Sequence, residues 1–183
     1  LGPRGTFSHE ALLTLCPDAV DPLPMRTVTV ALDAVRSGEV SAALVPIENS
    51  VEGAVSATLD ELAAAGDLQI EAEVAVPVRF VLATRPGTQR VSAIVTHPHA
   101  AAQCRGWLAS AYPDVDVVPA ASTAAAAVSV ARGEYDAAVC AHRAAAEYHL
   151  EVAADDIGDN PEATTRFVLV RQPGPPPPPS GAD

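Results

Sequence analysis

A repeated pattern of helix, glycine and strand constrains the fold of this chain more than any other feature. The stretches TVTVALDAVRSGEVSAALVPIEN and STAAAAVSVARGEYDAAVCAHRA each contain an amphipathic helical pattern, a glycine that ends it and a short apolar strand. Their glycines, Gly38 and Gly133, lie 95 residues apart (133 − 38), about half of the 183-residue chain. Helices ending in glycine also arise by ordinary capping, but a repeat at this distance predicts two similar α/β lobes.

Strand and helix patterns alternate through the rest of the chain. VSAIV and VDVVPA are short buried strands on either side of a helix that begins at His97-Pro98. LQIEAEVAVPVRFVLATRPG is an extended run that Pro77 divides into two strands, and TTRFVLVRQ is the last strand. We therefore predict an α/β fold of two similar lobes, with mixed, mostly parallel sheets and a cleft between the lobes.

The order of these elements predicts the limits of the lobes. We assign residues 1–76 and 160–172 to the first lobe, residues 77–159 to the second lobe, and residues 173–183, which are rich in proline, to a linker. The chain would then cross between the lobes twice. Ligands of such folds bind beyond the carboxyl ends of the strands, where the connections diverge.

The formal charge of −12 makes anionic macromolecules unfavourable partners. It argues against nucleic acid and against an anionic membrane. All eleven basic residues are arginine, and the absence of lysine excludes Schiff-base chemistry and a Walker phosphate loop, since each needs a lysine amine. An anionic small molecule would require a local cluster of positive potential.

Cysteine and hydropathy patterns indicate neither a metal site nor a membrane segment. Cys16, Cys104 and Cys140 stand at wide, unpatterned spacings, so we expect plain buried thiols without a disulfide framework or a zinc site. The HPH motif lacks a third ligand at a useful spacing. No apolar run reaches the roughly 18 residues that span a bilayer, and no signal peptide opens the chain, so we expect a cytoplasmic protein.

A polar triplet interrupts the apolar pattern where the strand of the first repeat ends. Glu48, Asn49 and Ser50 follow the strand AALVPI at its carboxyl end. We therefore predict that these side chains face the cleft. A tight turn is the alternative for Glu48, and capping of the next helix is the alternative for Ser50.

Five segments resemble those of prephenate dehydratases in their order and spacing: LGPRGTFSHEA, VPIENSVEG, HPHAAAQCRGWL, STAAAA and TRFVLV. The resemblance covers the chain from Leu1 to about Arg171. It implies two lobes with a cleft, like those of type II periplasmic binding proteins. Relatives usually continue into an ACT domain that binds L-phenylalanine, so regulation by L-phenylalanine is expected only with that domain present.

The resemblance implies a carbon–oxygen lyase of phenylalanine biosynthesis that converts prephenate into phenylpyruvate, CO2 and water. Aromatisation of the ring supplies the driving force, so no cofactor is expected. Because hydroxide is a poor leaving group, the site should offer it a hydrogen-bond donor, with one cation for the carboxylate that persists. Relatives look like dimers or tetramers, so a homodimer or homotetramer is expected.

The resemblance assigns catalysis to Thr165, Asn49 and Glu48. Thr165 would donate a hydrogen bond to the leaving oxygen. Glu48 would help if burial weakens its acidity or if it orients Asn49 or Arg166. Arg166 would bind a substrate carboxylate, although pleat alternation turns it away from Thr165 unless the strand is bulged or begins there. The remaining candidates for substrate binding are Gln103, Ser50, Thr96, Thr6, Ser122 and Phe167.

Several alternatives stay open at this point. Thr6 and Ser122 could act only as helix caps, and Phe167 only as a core residue. Arg166 could instead form a surface or lobe-bridging salt pair, and Thr165 could be only a β-branched strand residue. Arogenate, with an amine in place of the keto oxygen of the side chain, is an alternative substrate. A non-catalytic two-lobed anion-binding module is the other alternative, because a fold alone does not separate enzymes from receptors.

Overall fold

The computed structural model describes residues 2–17, 22–65 and 68–174, and these ranges contain seven helices and nine strands. The helices are α1 (Phe7–Leu15), α2 (Val28–Arg36), α3 (Ser56–Ala65), α4 (Pro98–Gln103), α5 (Arg105–Ala111), α6 (Thr123–Ala131) and α7 (His142–Glu147). The strands are β1 (Ala43–Asn49), β2 (Gly53–Ala54), β3 (Gln69–Pro77), β4 (Val81–Thr84), β5 (Ala93–Thr96), β6 (Asp116–Pro119), β7 (Ala137–Cys140), β8 (Glu151–Ala154) and β9 (Thr164–Arg171).

Two β-sheets divide these strands between two lobes. The first sheet has the order β2-β1-β9-β3, and all of its pairings are antiparallel. The second sheet has the order β6-β5-β7-β4-β8; β5 runs parallel to β6 and β7, whereas β4 runs antiparallel to β7 and β8. The predicted α/β class with two lobes is confirmed.

The prediction of mostly parallel pairing is wrong for the first sheet. β1 and β3 run in the same direction, but β9 lies between them and runs antiparallel to both. β9 comes from the far end of the chain, and the local alternation of helix and strand patterns does not say where such a strand inserts. The second sheet does contain parallel pairing, between β5 and its two neighbours β6 and β7.

The membership of the two sheets supports the predicted lobe limits, which we keep as a proposal. The chain leaves the first sheet after β3, builds β4 to β8, and returns with β9. Pro77, which the prediction assigned to the second lobe, pairs with Thr164 in the first sheet. The predicted linker lies outside the described residues from position 175 onward.

The two halves of the sequence repeat fold into the same local structure. Thr27 and Ser122 cap α2 and α6, and each hydroxyl oxygen accepts from the backbone N–H three residues further on, at 3.2 and 2.9 Å. Gly38 and Gly133 follow these helices with φ of 74° and 79°. Glycine adopts this left-handed conformation without strain, which explains the matching positions of the two glycines.

Helix α1 joins the two lobes. It covers one face of the first sheet, and α2 packs on the other face. Phe7 at the start of α1 also packs on the core of the second lobe, where its ring meets Phe80 edge to face at a centroid distance of 5.6 Å. Nearby, the hydroxyl of Tyr148 donates to the carbonyl of Arg4 over 3.2 Å.

Gly5→Ala is expected to destabilise the protein more than Gly38→Ala. Both glycines have positive φ, 85° and 74°, so alanine at either position is strained by about 1–2 kcal/mol. At Gly5 a Cβ atom would also lie 3.0 Å from the Cα of Ala144 on α7, whereas nothing lies within 4 Å at Gly38. Thermal unfolding measures both losses, and equal losses would contradict a tight contact between α7 and the turn before α1.

All three cysteines are free thiols. Cys104 and Cys140 are buried, as predicted, whereas Cys16 is only half-buried. Burial raises the pKa of Cys104 and of Cys140 to about 12, so both stay protonated and unreactive at neutral pH. Among the described residues, no group of three or more His, Cys, Asp and Glu side chains is placed to hold a metal ion. Within the same ranges, no helix is both long enough and apolar enough to cross a membrane.

Candidate functional site

The amide of Asn49 and the hydroxyl of Thr165 meet where β1 ends and β9 begins. The two residues lie opposite each other in the ladder between these strands. Asn49 Nδ2 donates to Thr165 Oγ1 over 2.9 Å, across 116 residues of chain. Thr165 is buried, with 8 % of its surface exposed. The structure therefore brings together two of the three residues predicted to be catalytic.

The orientation of the Asn49 amide is fixed by its second set of hydrogen bonds. Its Oδ1 atom accepts from the backbone N–H groups of Val51 and Glu52 at 2.9 and 3.1 Å. Only the oxygen end of an amide accepts, so Nδ2 must point at Thr165 and donate to it. In the described part of the chain, no protein group accepts a hydrogen bond from the hydroxyl of Thr165. The hydroxyl proton is free to be donated to a ligand.

Ser50 ties the loop after β1 to the start of β9. Its Oγ atom accepts from the backbone N–H of Thr164 over 3.0 Å, and its own N–H donates to the Thr164 carbonyl over 2.9 Å. The capping alternative for Ser50 is wrong, because β2 intervenes and α3 begins only at Ser56. Ser50 thus holds the backbone on which Asn49 and Thr165 are placed.

Glu48 and Arg166 lie together on the other face of the first sheet. Arg166 Nη1 is 2.9 Å from Glu48 Oε2, and Nη2 is 2.8 Å from Glu73 Oε2. These hydrogen bonds, first to Glu73 and then to Glu48, raise the pKa of Arg166. The irregularity in pairing lies in β1, between Pro46 and Glu48, so alternation holds in β9. The structure does not bring Glu48 or Arg166 to Thr165.

Phe167 shares a face of β9 with Thr165 but lies within the core. It is 2 % exposed and belongs to the hydrophobic cluster beneath α1. Its aromatic ring anchors the strand that carries Thr165, which agrees with the core alternative considered for this residue.

Three predicted hydroxyl residues are engaged in local structure. Thr6 caps α1, accepting from the N–H of His9 over 3.3 Å and donating to the carbonyl of Pro3 over 2.9 Å. Ser122 caps α6. Thr96 is 1 % exposed and donates to the carbonyl of Val139 over 2.7 Å. None of these hydroxyls meets Asn49 or Thr165 in the hydrogen bonds of the described residues. Thr6 and Ser122 cap their helices, as the alternative expected, and substrate binding by them stays a prediction.

A cavity of about 570 Å³ lies where the loop after β1 faces α4. Gln103, one of the predicted residues, is half-buried there, and its Nε2 atom is 3.4 Å from Glu52 Oε1. Because Asn49 holds the backbone of Val51 and Glu52, the amide–hydroxyl pair supports one wall of this cavity. Its lining comes from both lobes and from the returning segment: Val51, Glu52, His99, Ala102, Gln103, Asp159 and Asn160.

A second cavity, of about 520 Å³, lies at the opposite end of the first lobe. Its walls include Ala43 and Leu44 at the start of β1, and Leu169 and Arg171 at the end of β9. Asn49 and Thr165 are at the other ends of the same two strands. This cavity is therefore separate from the candidate site.

Sequence reasoning missed four polar residues of the cavity wall: Glu52, His99, Asp159 and Asn160. Glu52 Oε2 is 2.9 Å from His99 Nδ1, so the loop after β1 contacts α4 directly. The HPH motif was considered only as a metal ligand or a polar helix start, and nothing in the local pattern around Glu52 indicates a partner in the other lobe. Only the packing of the two lobes reveals this contact.

Two imidazoles accept hydrogen bonds in a way that requires them to be neutral. Nδ1 of His9 accepts from the N–H of Gly5 over 3.1 Å, and Nδ1 of His97 accepts from the N–H of His99 over 3.3 Å. Burial lowers the pKa of both side chains below 6.5, with a further lowering from Arg143 at His9 and from His99 at His97. The unfolded chain therefore binds protons more readily than the folded one.

Acid is expected to destabilise the protein through these two groups. Their contribution to the free energy of unfolding is complete above pH 6.5 and is lost as the pH falls below 6.5 toward the folded pKa values. Denaturant titrations between about pH 5 and 8 measure this slope. His9→Asn, which keeps an acceptor but does not titrate, should show a shallower fall, and the exposed His149→Asn is the control. An unchanged slope in His9→Asn would contradict the assignment.

The fold and the site together define a two-lobed α/β protein with a cavity between its lobes that is lined largely by polar side chains. The family model for prephenate dehydratase matches residues 1–175, so the chain belongs to the prephenate dehydratase family. The resemblance found in the sequence motifs is confirmed.

Curated relatives agree with this assignment. Prephenate dehydratase of Mycolicibacterium vanbaalenii is 48% identical over 199 residues, covering 100% of this chain and 64% of the relative. Prephenate dehydratase of Amycolatopsis methanolica is 48% identical over 183 residues, covering 100% of this chain and 60% of the relative. The chain thus spans less than two thirds of the length of these relatives.

Solved structures share the fold along the whole chain. The prephenate dehydratase of Arthrobacter aurescens, in complex with L-Phe, has a TM-score of 0.89 and 49% identity, covering 100% of this chain and 62% of its own. GqqA, described as a novel type of quorum quenching acylase, has a TM-score of 0.80 and 32% identity, covering 98% of this chain and 65% of its own.

Proposed function

We propose that this chain removes water and CO2 from prephenate to form phenylpyruvate, with Thr165 as hydrogen-bond donor to the leaving oxygen. The observation that carries the proposal is the direction of the hydrogen bond from Asn49 to Thr165. Because Oγ1 accepts from the amide, its own proton remains available to the substrate. The hydrogen bond from Asn49 polarises the hydroxyl of Thr165 and makes it a stronger donor. A strong donor suits a poor leaving group such as hydroxide.

The proposed step balances without a cofactor. The bond from the ring carbon to the hydroxyl oxygen breaks, and the electron pair of the bond to the departing carboxylate moves into the ring as CO2 leaves. The oxygen departs as hydroxide, hydrogen-bonded to Thr165, and takes a proton from solvent to become water. The hydroxyl of Thr165 is far too weak an acid to surrender its own proton, so it only donates a hydrogen bond.

The substrate would lie in the cavity between the lobes, where Gln103 offers an amide donor and Val51 an apolar surface. Arg166 and Glu48 have no substrate contact in this proposal, because their ion pair lies on the other face of the sheet. The departing carboxylate needs no strong ligand. A ligand that grips it would stabilise the ground state more than the transition state, in which its charge is lost.

The test is to mix the protein with prephenate and to follow phenylpyruvate by its absorbance in alkali. Formation of phenylpyruvate supports the proposal. Binding of prephenate without turnover would overturn it in favour of a two-lobed anion-binding module. Turnover of arogenate to phenylalanine without turnover of prephenate would overturn the choice of substrate but keep the chemistry.

An acylase activity like that named for GqqA is less well supported in this chain. Acyl transfer through a hydroxyl nucleophile requires a base that takes the hydroxyl proton. Here Thr165 Oγ1 accepts a hydrogen bond from the amide nitrogen of Asn49, a donor, which would hinder attack by that oxygen. The same contact favours the role of a donor.

The cytoplasmic location and the homodimer or homotetramer stay predictions of this proposal. Both are expected of an enzyme of amino-acid biosynthesis in this family. Light scattering of the purified protein measures its mass in solution, and a monomer would contradict the predicted assembly.

A further inference from the structure

One side chain of the first lobe contacts two donors of the second lobe across the cavity. Glu52 Oε2 lies 2.9 Å from His99 Nδ1, and Glu52 Oε1 lies 3.4 Å from Gln103 Nε2. His99 and Gln103 are four residues apart on α4, so they lie on one face of that helix. A single carboxylate thus spans both donors.

The same residue is connected to the amide–hydroxyl pair. The backbone N–H of Glu52 donates to Asn49 Oδ1 over 3.1 Å, and Asn49 Nδ2 donates to Thr165 Oγ1 over 2.9 Å. A continuous path of hydrogen bonds therefore runs from α4 through Glu52 and Asn49 to Thr165. Movement of Glu52 relative to α4 would change the place of Asn49 and of the loop that it holds.

We infer that Glu52 is a positioning residue that clasps the two lobes across the cleft, setting Gln103 of one lobe against the Asn49–Thr165 pair of the other. The clasp itself rests on geometry alone. Its effect on turnover rests on the proposed function, because Gln103 and Thr165 must then contact one substrate.

The charge of Glu52 supports positioning and opposes direct binding of substrate. Prephenate carries two carboxylates, so a carboxylate in the cavity wall would repel it. The two Glu52 oxygens contact His99 and Gln103 rather than a substrate. The Glu52 side chain is 40% exposed and that of His99 is 66% exposed, so the clasp is open to solvent.

The kinetic test compares Glu52→Ala, Glu52→Gln, His99→Ala and the double variant of Glu52→Ala with His99→Ala. Glu52→Ala should lower kcat for prephenate about tenfold, since misplacement of catalytic groups by a fraction of an ångström has effects of that order. Glu52→Gln, which keeps two hydrogen-bonding atoms, should restore most of the loss. The double variant should fall no further than Glu52→Ala, because both changes break one contact.

A second measurement does not depend on turnover. Amide hydrogen exchange of residues 97–104, followed by mass spectrometry without ligand, should be faster in Glu52→Ala than in the unaltered protein. Glu39→Ala, an exposed carboxylate in the turn after α2, is the matched control and should change neither exchange nor kcat.

The two measurements separate the clasp from the proposed function. Unchanged exchange in Glu52→Ala overturns the clasp, whatever the activity. Faster exchange with unchanged kcat, or losses in the double variant that multiply, overturns the positioning role. Absence of prephenate turnover in the unaltered protein overturns the proposed function, while faster exchange in Glu52→Ala would still support the clasp.

Discussion

Asn49→Asp is expected to lower kcat for prephenate by about 10²–10³, the loss associated with one preorganised donor. The substitution keeps the shape of the side chain, and one carboxylate oxygen still accepts from the N–H groups of Val51 and Glu52. The other oxygen now faces Thr165 Oγ1, where the amide nitrogen stood, 2.9 Å away. Because a carboxylate only accepts, the hydroxyl of Thr165 donates its hydrogen bond to this oxygen and no longer to the substrate.

The value of Asn49→Asp is that folding and loop placement change little while the direction of one hydrogen bond reverses. Ser50→Ala is the matched control in the same loop. It removes the acceptor for the N–H of Thr164 but leaves the Asn49–Thr165 contact in place. We expect it to cost about 1 kcal/mol of stability, with a much smaller effect on kcat. Steady-state kinetics of both variants measure the two effects on kcat. A near-normal kcat in Asn49→Asp would refute the donor mechanism.

Thr165→Val is expected to reduce kcat by at least about 10², with KM changed much less. Valine has nearly the same shape as threonine and fits a β-strand, so the strand and its core contacts persist. The hydroxyl that would meet the leaving oxygen is gone. Loss of a group that acts chiefly in the transition state lowers kcat and kcat/KM together.

Two companion variants separate chemistry from folding at this position. Thr165→Ser keeps the hydroxyl and should retain most of the activity. Thr164→Val changes the neighbouring residue, whose side chain lies on the other face of β9, and should leave kcat close to normal. Thr165→Val also leaves Asn49 Nδ2 without its acceptor, at a cost of about 1–3 kcal/mol, so thermal unfolding must accompany the kinetics. Equal activity in Thr165→Val and Thr165→Ser would remove the hydroxyl from the mechanism.

Predictions from local sequence signals were the most accurate. The cap residues Thr6 and Ser122 accept from backbone N–H groups within their own helices, and Gly38 and Gly133 follow matching helices in matching conformations. Each of these features depends on hydrogen bonds between residues three or four positions apart. A short stretch of sequence contains all the atoms involved, so its pattern is sufficient.

Predictions that depended on distant partners were less complete. Pleat alternation correctly turned Arg166 away from Thr165. Glu48 contacts Arg166, one of the two neighbours that it was expected to orient, but no pattern indicated that Glu73 would hold the guanidinium as well. The insertion of β9 between β1 and β3 reversed the expected direction of pairing in the first sheet. Both results follow from the register of strands that come from opposite ends of the chain.

By itself, the sequence determined the class of the fold, the repeat, the caps, and the kinds of polar groups present at the ends of β1 and β9. Tertiary structure alone decided the direction of the Asn49 amide, the free proton of Thr165, and the contact of Glu52 with α4. The physical reason is the range of the interactions. Capping and periodicity act within one or two helical turns, whereas Asn49 and Thr165 meet across 116 residues, through a sheet register that the packing of the whole lobe sets.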